Sequence, residues 1–411
     1  MAAIRVLRWS RRGAWMPRSA KPCRSMCEFG EASQQMQRYN LERLYLSRNA
    51  FGIAFDIDGV LIQGSETIER APEALRRLYK DVDTGKLQVP YVFLTNGGGM
   101  TEAARAKELT RQLSVPVNPI QVHLGHTPFK TLAQRYRGKK VLSLGKGEPE
   151  TALTSYGFST VVKMDNYFRE FPHIDPLLSY KPWAKYESNA NGMLMPEIER
   201  QIAAVFVCSD PVDWSRDIQV LCDVLRAGGY PGKLDSQLPQ PSLYFAADDF
   251  EYSTKFPVPR FGMGAFRIAL ESLYVKLIKR PLLYTSYGKP KPIVYHLAAK
   301  SLHRIAGMMY SKPGMNSHSE EDPNVGPLEL PLPVDRARQE GALKTLYMIG
   351  DNPETDIAGA IGAGRPWYSI LVRSGNFRGG GNHDKYPADK VVDNVYEAVD
   401  FVLKKEGIWT K

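Results

Sequence analysis

The chain alternates between short apolar runs and segments with a helical spacing of apolar residues, and this alternation limits most strongly what it can fold into. Runs rich in β-branched and aromatic residues predict strands at 52–58, 91–96, 140–145, 203–210, 242–249, 346–351 and 368–375. Between them, apolar residues recur three and four positions apart, and Thr101 and Ser215 are suited to cap two of the helices. Such alternation favours a doubly wound parallel sheet, so we predict an α/β protein with a Rossmann-like core.

The length of the chain indicates more than one domain. About 165 residues separate the helix after Thr95 from Lys289, far more than one crossover connection uses. This interval has its own alternation of strands and helices, which predicts an inserted α/β domain, the cap. We expect the core at 50–115 and 265–411, the cap at 116–264, and a long loop with five prolines inside the core at 312–341.

The net charge of +10 is concentrated at the N-terminus. Residues 1–27 contain six Arg and one Lys without an acid, and the remainder has 47 basic and 44 acidic residues. This balance argues against a nucleic-acid partner, and no apolar stretch reaches the roughly 18 residues of a membrane span. An Arg-rich, acid-poor segment predicts a mitochondrial targeting peptide at 1–27, followed by an adaptor at 28–49; the alternative is a disordered basic tail.

Two acids stand one residue apart at the end of the first predicted strand, in the segment FDIDGVL. Asp56 and Asp58 are about 6.6 Å apart on the same side if that strand is extended. Burying two like charges is costly unless a cation compensates them, and Mg²⁺ prefers such oxygen ligands. The segment LYMIGDNPETDIAGA contributes Asp351 and Asp356 in a similar position after another apolar run. The sequence therefore predicts a magnesium site.

Two further segments could hold a phosphate beside that cation. YVFLTNGGG ends a predicted strand in Thr95, Asn96 and Gly97, whose hydroxyl and N–H groups can bind phosphate oxygens near a helix start. YGKPKP places Lys289 in a turn. A Walker-type phosphate loop is absent from the sequence, which disfavours a nucleoside triphosphatase of that class.

The four segments together, in this order, resemble the motifs of the haloacid dehalogenase (HAD) superfamily of phosphohydrolases. The forms FDIDGVL, TNGGG, GKP and GDNPETDIAGA are similar to those of its class IIA, or NagD-like, branch. The basic leader and the long stretch before the last motif resemble those of mitochondrial members of that branch. The resemblance covers about residues 50–405 and implies a HAD core with an inserted C2-type cap.

The resemblance also implies a role for each motif residue. Asp56 would be the nucleophile that forms an aspartyl-phosphate, and Asp58 the general acid and then the general base. Thr95 and Lys289 would bind the transferring phosphoryl group, together with Asn96 and Gly97.

The metal assignments also follow from the resemblance. Asp351 would bind Mg²⁺ together with Asp56 and the backbone carbonyl of Asp58. Asp356 would support these ligands without binding the metal itself.

The expected function is therefore a Mg²⁺-dependent phosphatase that hydrolyses a small phosphorylated metabolite in mitochondria, with the matrix as its compartment. The resemblance further implies a connection with glycerophospholipid metabolism. A homodimer formed through the cap is a separate expectation. The alternative is a catalytically weak HAD-fold protein with a binding or regulatory role. Where NagD-like relatives commonly have Thr-Asn before an acid, this chain has Ala246-Ala247-Asp248-Asp249. Asp248 and Arg260 are candidates for the cap entrance.

Overall fold

The computed structural model describes residues 50–408 except 172, 182–200, 231, 233–237, 253, 255 and 311–342. The predicted leader, the adaptor and the loop at 312–341 lie outside the described residues. Strands β1 to β17 are Phe51–Phe55, Ile62–Gln63, Glu66–Thr67, Tyr79–Asp81, Lys86–Leu87, Tyr91–Leu94, Val122–His123, Lys140–Leu144, Thr160–Lys163, Ala204–Val207, Ser242–Phe245, Glu251–Tyr252, Arg260–Phe261, Thr285–Ser286, Thr345–Gly350, Trp367–Val372 and Lys390–Val392. Helices α1 to α9 are Ala71–Arg76, Glu102–Leu113, Pro149–Ser155, Met164–Glu170, Trp214–Arg226, Met263–Ile278, Pro292–Tyr310, Ala358–Ala363 and Val395–Lys405.

The core is a six-stranded parallel sheet in the order β17-β16-β15-β1-β6-β7. Alternate residues of β1 enter opposite apolar layers. Ile53 and Phe55 pack with residues of α1, α2 and α9, whereas Ala54 packs with residues of α7. Because helices cover both faces, β1 is buried along its whole length and has a continuous apolar sequence. This sheet confirms the predicted doubly wound α/β core.

The cap contains a second parallel sheet, in the order β14-β11-β10-β8-β9. Its interior is rich in aromatic rings that surround Phe206 of β10. The Phe206 ring centroid lies 5.0 Å from that of Tyr244 and 5.1 Å from that of Phe129. The cap therefore has an apolar core of its own.

The structure moves both expected domain boundaries. Strand β7 lies beyond residue 115 but pairs with β6 in the core sheet. Helix α6 and strand β14 lie beyond residue 264, yet α6 packs in the cap core and β14 pairs with β11. The boundaries at 115 and 264 are therefore wrong. β7 and β14 have two residues each, too few for a readable pattern, and the spacing within α6 does not indicate which sheet it covers.

One of the two predicted helix caps is confirmed. The Thr101 Oγ1 accepts a hydrogen bond from the Ala104 N–H at 3.2 Å at the start of α2. At the start of α5, the carboxylate of Asp213 caps the helix by accepting from the Arg216 N–H at 3.3 Å. The prediction of Ser215 is wrong because Asp213 offers an acceptor two residues earlier. Among the described helices, none has the length and hydropathy to cross a membrane.

We predict that Phe206→Ala lowers the free energy of unfolding by about 3 to 5 kcal/mol, since it empties the centre of the cap core. Chemical denaturation followed by circular dichroism measures this change. Phe256→Ala is the matched control, because the Phe256 side chain is 58% exposed and its loss should have little effect. Equal destabilisation by the two changes would contradict the assignment of Phe206 to a separate cap core.

Candidate functional site

The carboxyl ends of three neighbouring core strands bring together residues that are far apart in sequence. Asp56 follows β1, Thr95 follows β6 and Asp351 follows β15, and β1 lies between the other two strands. In open α/β sheets this edge, where the strand order reverses, is the usual place for a ligand. Asp56, Thr95 and Asp351 are all buried there.

Lys289 lies between two of the buried carboxylates at this edge. Its Nζ is 2.7 Å from Oδ1 of Asp56 and 2.6 Å from Oδ1 of Asp356. Burial by itself lowers the pKa of Lys289, but the charges of Asp356 and Asp56 outweigh that effect and hold the pKa well above its usual range. Lys289 is therefore a permanent cation that binds two acids at once.

Asp351 is the carboxylate that could take a further cation. Its Oδ2 accepts a hydrogen bond from the Asn376 N–H at 2.6 Å, whereas its buried Oδ1 has no hydrogen-bond partner among the described residues. Burial, followed by the charges of Asp56 and Asp356, raises its pKa well above the usual value. Carboxylate oxygens of Asp56, Asp351 and Asp356 all lie within 4.8 Å of one another. Within this cluster, the carboxylates of Asp56 and Asp351 are hard oxygen donors that fit a divalent cation such as Mg²⁺.

Asp356 differs from Asp351 because both of its carboxylate oxygens are engaged. Oδ1 contacts Lys289, and Oδ2 accepts from the Asn352 N–H at 3.0 Å. The Tyr295 hydroxyl donates to the Asp356 backbone carbonyl at 2.9 Å. Burial raises the pKa of Asp356 to about 6. Asp356 therefore fixes Lys289 and its own loop rather than offering a free ligand atom.

Asp58 lies outside the carboxylate cluster, with an exposed side chain. A Cβ added to Gly97 would lie 3.2 Å from the Thr95 hydroxyl and 3.9 Å from a carboxylate oxygen of Asp58, so the two side chains face the same loop. Gly59 has a φ of +82°, and a Cβ there would collide with the Asp351 carboxylate. The chain can turn between Asp58 and the next strand only because residue 59 is glycine.

Asn96 has a different surrounding from the one expected for a phosphate ligand. Its Oδ1 accepts from the Lys289 N–H at 2.7 Å, and its Nδ2 donates to the Lys289 carbonyl at 3.1 Å and to Oδ2 of Asp249 at 2.8 Å. Both amide hydrogens are used, so the side chain has no donor left for a phosphate. Asn96 instead fixes the backbone of Lys289 and connects it to the cap.

The cap lies against the site with the carboxyl ends of its strands. Loops after β8, β10 and β11 contact the segment 96–99 that follows β6: the Glu148 N–H donates to the Gly99 carbonyl at 2.7 Å, and Asp249 accepts from Asn96. Asp248, a candidate for the cap entrance, binds the Arg267 Nε at 2.6 Å through its carboxylate. No role was predicted for Asp249 from the sequence. The feature that could have indicated one is the departure of its segment from the Thr-Asn pattern of NagD-like relatives.

Comparison with known proteins identifies the family. A haloacid dehalogenase-like hydrolase model matches residues 53–159, and a second HAD hydrolase model matches residues 286–398. A mitochondrial hydrolase of Saccharomyces cerevisiae is 32% identical over 359 residues, which cover 86% of this chain and 95% of the relative. The chain belongs to the haloacid dehalogenase-like hydrolases. The two family models contain every motif residue of the site, from Asp56 to Asp356.

This hydrolase is also similar to a fusion protein and to two phosphatases of known structure. A cardiolipin synthase and mitochondrial hydrolase fusion protein of Schizosaccharomyces pombe is 34% identical over 358 residues, 86% of this chain and 53% of the fusion protein. A p-nitrophenyl phosphatase from Archaeoglobus fulgidus has a TM-score of 0.52 at 15% identity and covers 86% of this chain and 99% of its own. A glycerol phosphate phosphatase from Mycobacterium tuberculosis, in complex with calcium, has a TM-score of 0.51 at 15% identity and covers 85% and 75%. These structures share the fold.

We predict that Lys289→Met destabilises the metal-free hydrolase by about 3 kcal/mol or more, because it leaves buried carboxylates without their cation. Urea unfolding in the presence of a chelator measures the loss. Lys404→Met removes an exposed lysine that also binds an aspartate, Asp400, and should change stability little. If the two variants unfold at the same urea concentration, Lys289 does not balance the charges of the site.

Proposed function

We propose that this hydrolase is a Mg²⁺-dependent phosphatase of the class IIA type that cleaves a small phosphomonoester through an aspartyl-phosphate intermediate. The observation that carries the proposal is the buried Asp56 carboxylate, whose Oδ1 lies 2.7 Å from the Lys289 Nζ. It is clustered with Asp351, whose Oδ1 has no hydrogen-bond partner among the described residues. The two structural relatives, a p-nitrophenyl phosphatase and a glycerol phosphate phosphatase, support the same chemistry.

The metal would be held by the carboxylates of Asp56 and Asp351 and by the backbone carbonyl of Asp58. When bound, Mg²⁺ supplies positive charge to the phosphoryl oxygens and keeps the nucleophile ionised. Asp356, whose two oxygens already have partners, supports the arrangement by fixing Lys289.

The chain's own residues would carry out two displacements. In the first, a carboxylate oxygen of Asp56 bonds to phosphorus as the bond to the leaving oxygen breaks, and Asp58 gives its proton to that oxygen. In the second, Asp58 takes a proton from water, whose oxygen bonds to phosphorus as the bond to Asp56 breaks. The charge of Lys289 would compensate that of the transferring phosphoryl group, and donors of the Thr95–Gly97 loop would hydrogen-bond to its oxygens.

The cap would control access to this chemistry. Its strand ends cover the loop at 96–99, so a bound phosphomonoester would be enclosed and bulk water excluded during transfer. The same enclosure makes the cap the part that selects the leaving group. A small phosphorylated metabolite fits this arrangement, and the proposal includes a homodimer formed through the cap.

The relatives support a location and a metabolic context. Both curated relatives are named mitochondrial hydrolases, and one is fused to a cardiolipin synthase. We therefore place the phosphatase in mitochondria, in the matrix, with a substrate connected to glycerophospholipid metabolism. The Arg-rich segment at 1–27 would direct it there.

For activity, we predict that p-nitrophenyl phosphate is hydrolysed with Mg²⁺ and not after chelation, and that Asp56→Asn lowers kcat by about 10³-fold or more. Asp393→Asn, which changes an exposed carboxylate bound to Arg373, should retain activity. Equal turnover by wild type and Asp56→Asn would remove the nucleophile. A folded wild-type chain without turnover on this substrate or on a panel of phosphorylated metabolites would favour the binding or regulatory alternative.

For localisation, deletion of residues 1–27 should abolish import into isolated mitochondria, because the remaining chain lacks the cluster of arginines without acids. Protection of the radiolabelled chain from added protease, with the membrane potential intact or dissipated, measures import. Undiminished import of the truncated chain would exclude 1–27 as the targeting segment.

A further inference from the structure

A lysine and an aspartate of the cap form a pair near the catalytic site that has no part in the proposed displacements. Lys146 follows β8 and Asp210 follows β10, and their Nζ and Oδ2 atoms are 2.8 Å apart. Their side chains are 52% and 31% exposed. An ion pair as exposed as this contributes little to stability, so the fold does not explain it.

The backbone holds Lys146 firmly in place. Its N–H donates to the Asp210 carbonyl at 2.9 Å, and its carbonyl accepts from the Ser209 hydroxyl at 2.7 Å. Two residues later, the Glu148 N–H donates to Gly99 in the loop that follows Thr95. Lys146 is thus anchored against the proposed phosphate-binding loop rather than placed at random on the cap surface.

The Lys146 side chain lies near an aromatic ring of the cap. Its Nζ is 5.7 Å from the ring centroid of Tyr252, the last residue of β12. Burial lowers the pKa of Lys146, but Asp210, then Tyr252 and Asp58, raise it above its usual value. A Cβ added to Gly99 would lie 2.5 Å from the Lys146 carbonyl oxygen, so the backbone of Lys146 lies against the loop that follows Thr95.

We propose that Lys146, Asp210 and Tyr252 form a leaving-group subsite on the cap for an uncharged group rich in hydroxyls, so that the substrate is a polyol phosphomonoester. This inference rests on the proposed function and names its substrate class. Lys146 supplies donors, Asp210 supplies acceptors, and the face of Tyr252 can pack against C–H groups. The pair has no net charge, and Asp210 would repel an anionic leaving group, so an uncharged polyol fits better than a carboxylate.

The experiment compares three phosphomonoesters with the full chain and Mg²⁺: sn-glycerol 3-phosphate, phenyl phosphate without leaving-group hydroxyls, and the anionic 2-phosphoglycolate. We expect wild type to prefer glycerol phosphate. Lys146→Met should lower the ratio of kcat/KM for glycerol phosphate to that for phenyl phosphate about tenfold or more, mainly through KM, because hydrogen bonds to a charged donor are lost. Lys163→Met, which removes a cap lysine paired with Asp165, should keep the wild-type ratio.

Three results would overturn the subsite: an unchanged ratio in Lys146→Met, an equal loss on every substrate, or a larger loss on 2-phosphoglycolate, which would indicate an anion subsite. A wild-type chain that hydrolyses none of the three overturns the proposed function instead. Calorimetry with the Asp56→Asn variant and Mg²⁺ then still decides the subsite. Tighter binding of glycerol phosphate than of phenyl phosphate, weakened by Lys146→Met, supports it, and equal binding refutes it.

Discussion

The site depends on one ammonium group placed among buried carboxylates. Without Lys289, Asp56 and Asp356 would have to lose their charges or stay apart, since burial makes unpaired anions very costly. Lys289 compensates only part of the negative charge, because Asp351 adds another carboxylate, whose Oδ1 has no hydrogen-bond partner in the described part of the chain. The fold therefore holds a pocket that is still deficient in positive charge, which is the electrostatic condition for binding a divalent cation and then a phosphate.

The interior of both sheets could be predicted from the sequence, whereas their edges could not. The seven predicted strands all appear, because a strand covered on both faces must be apolar throughout. The unpredicted edge strands β7, β17, β9 and β14 have two to four residues each. Strands this short lack the continuous apolar run that identifies a strand. The misplaced domain boundaries follow from these missed edges.

The candidate site divides in a similar way. Asp56, Thr95 and Asp351 could be found because each directly follows a buried strand. The surroundings of Asn96 and Lys146 could not, because they depend on how the cap lies on the core. Asn96 contacts Asp249, 153 positions away, and no local pattern records such a meeting. Local sequence patterns therefore do not predict contacts between residues of the core and residues of the cap.

The link that returns the chain from cap to core has a mechanical consequence. Strand β14 ends at Ser286 in the cap sheet, and Lys289 follows three residues later in the core pocket. Gly288 between them is so closely packed that an added Cβ would lie 2.7 Å from the Ala246 carbonyl. So short a connection allows little change in the distance between the cap sheet and Lys289. The position of the cap sheet therefore directly restricts where the Lys289 ammonium group can lie in the core.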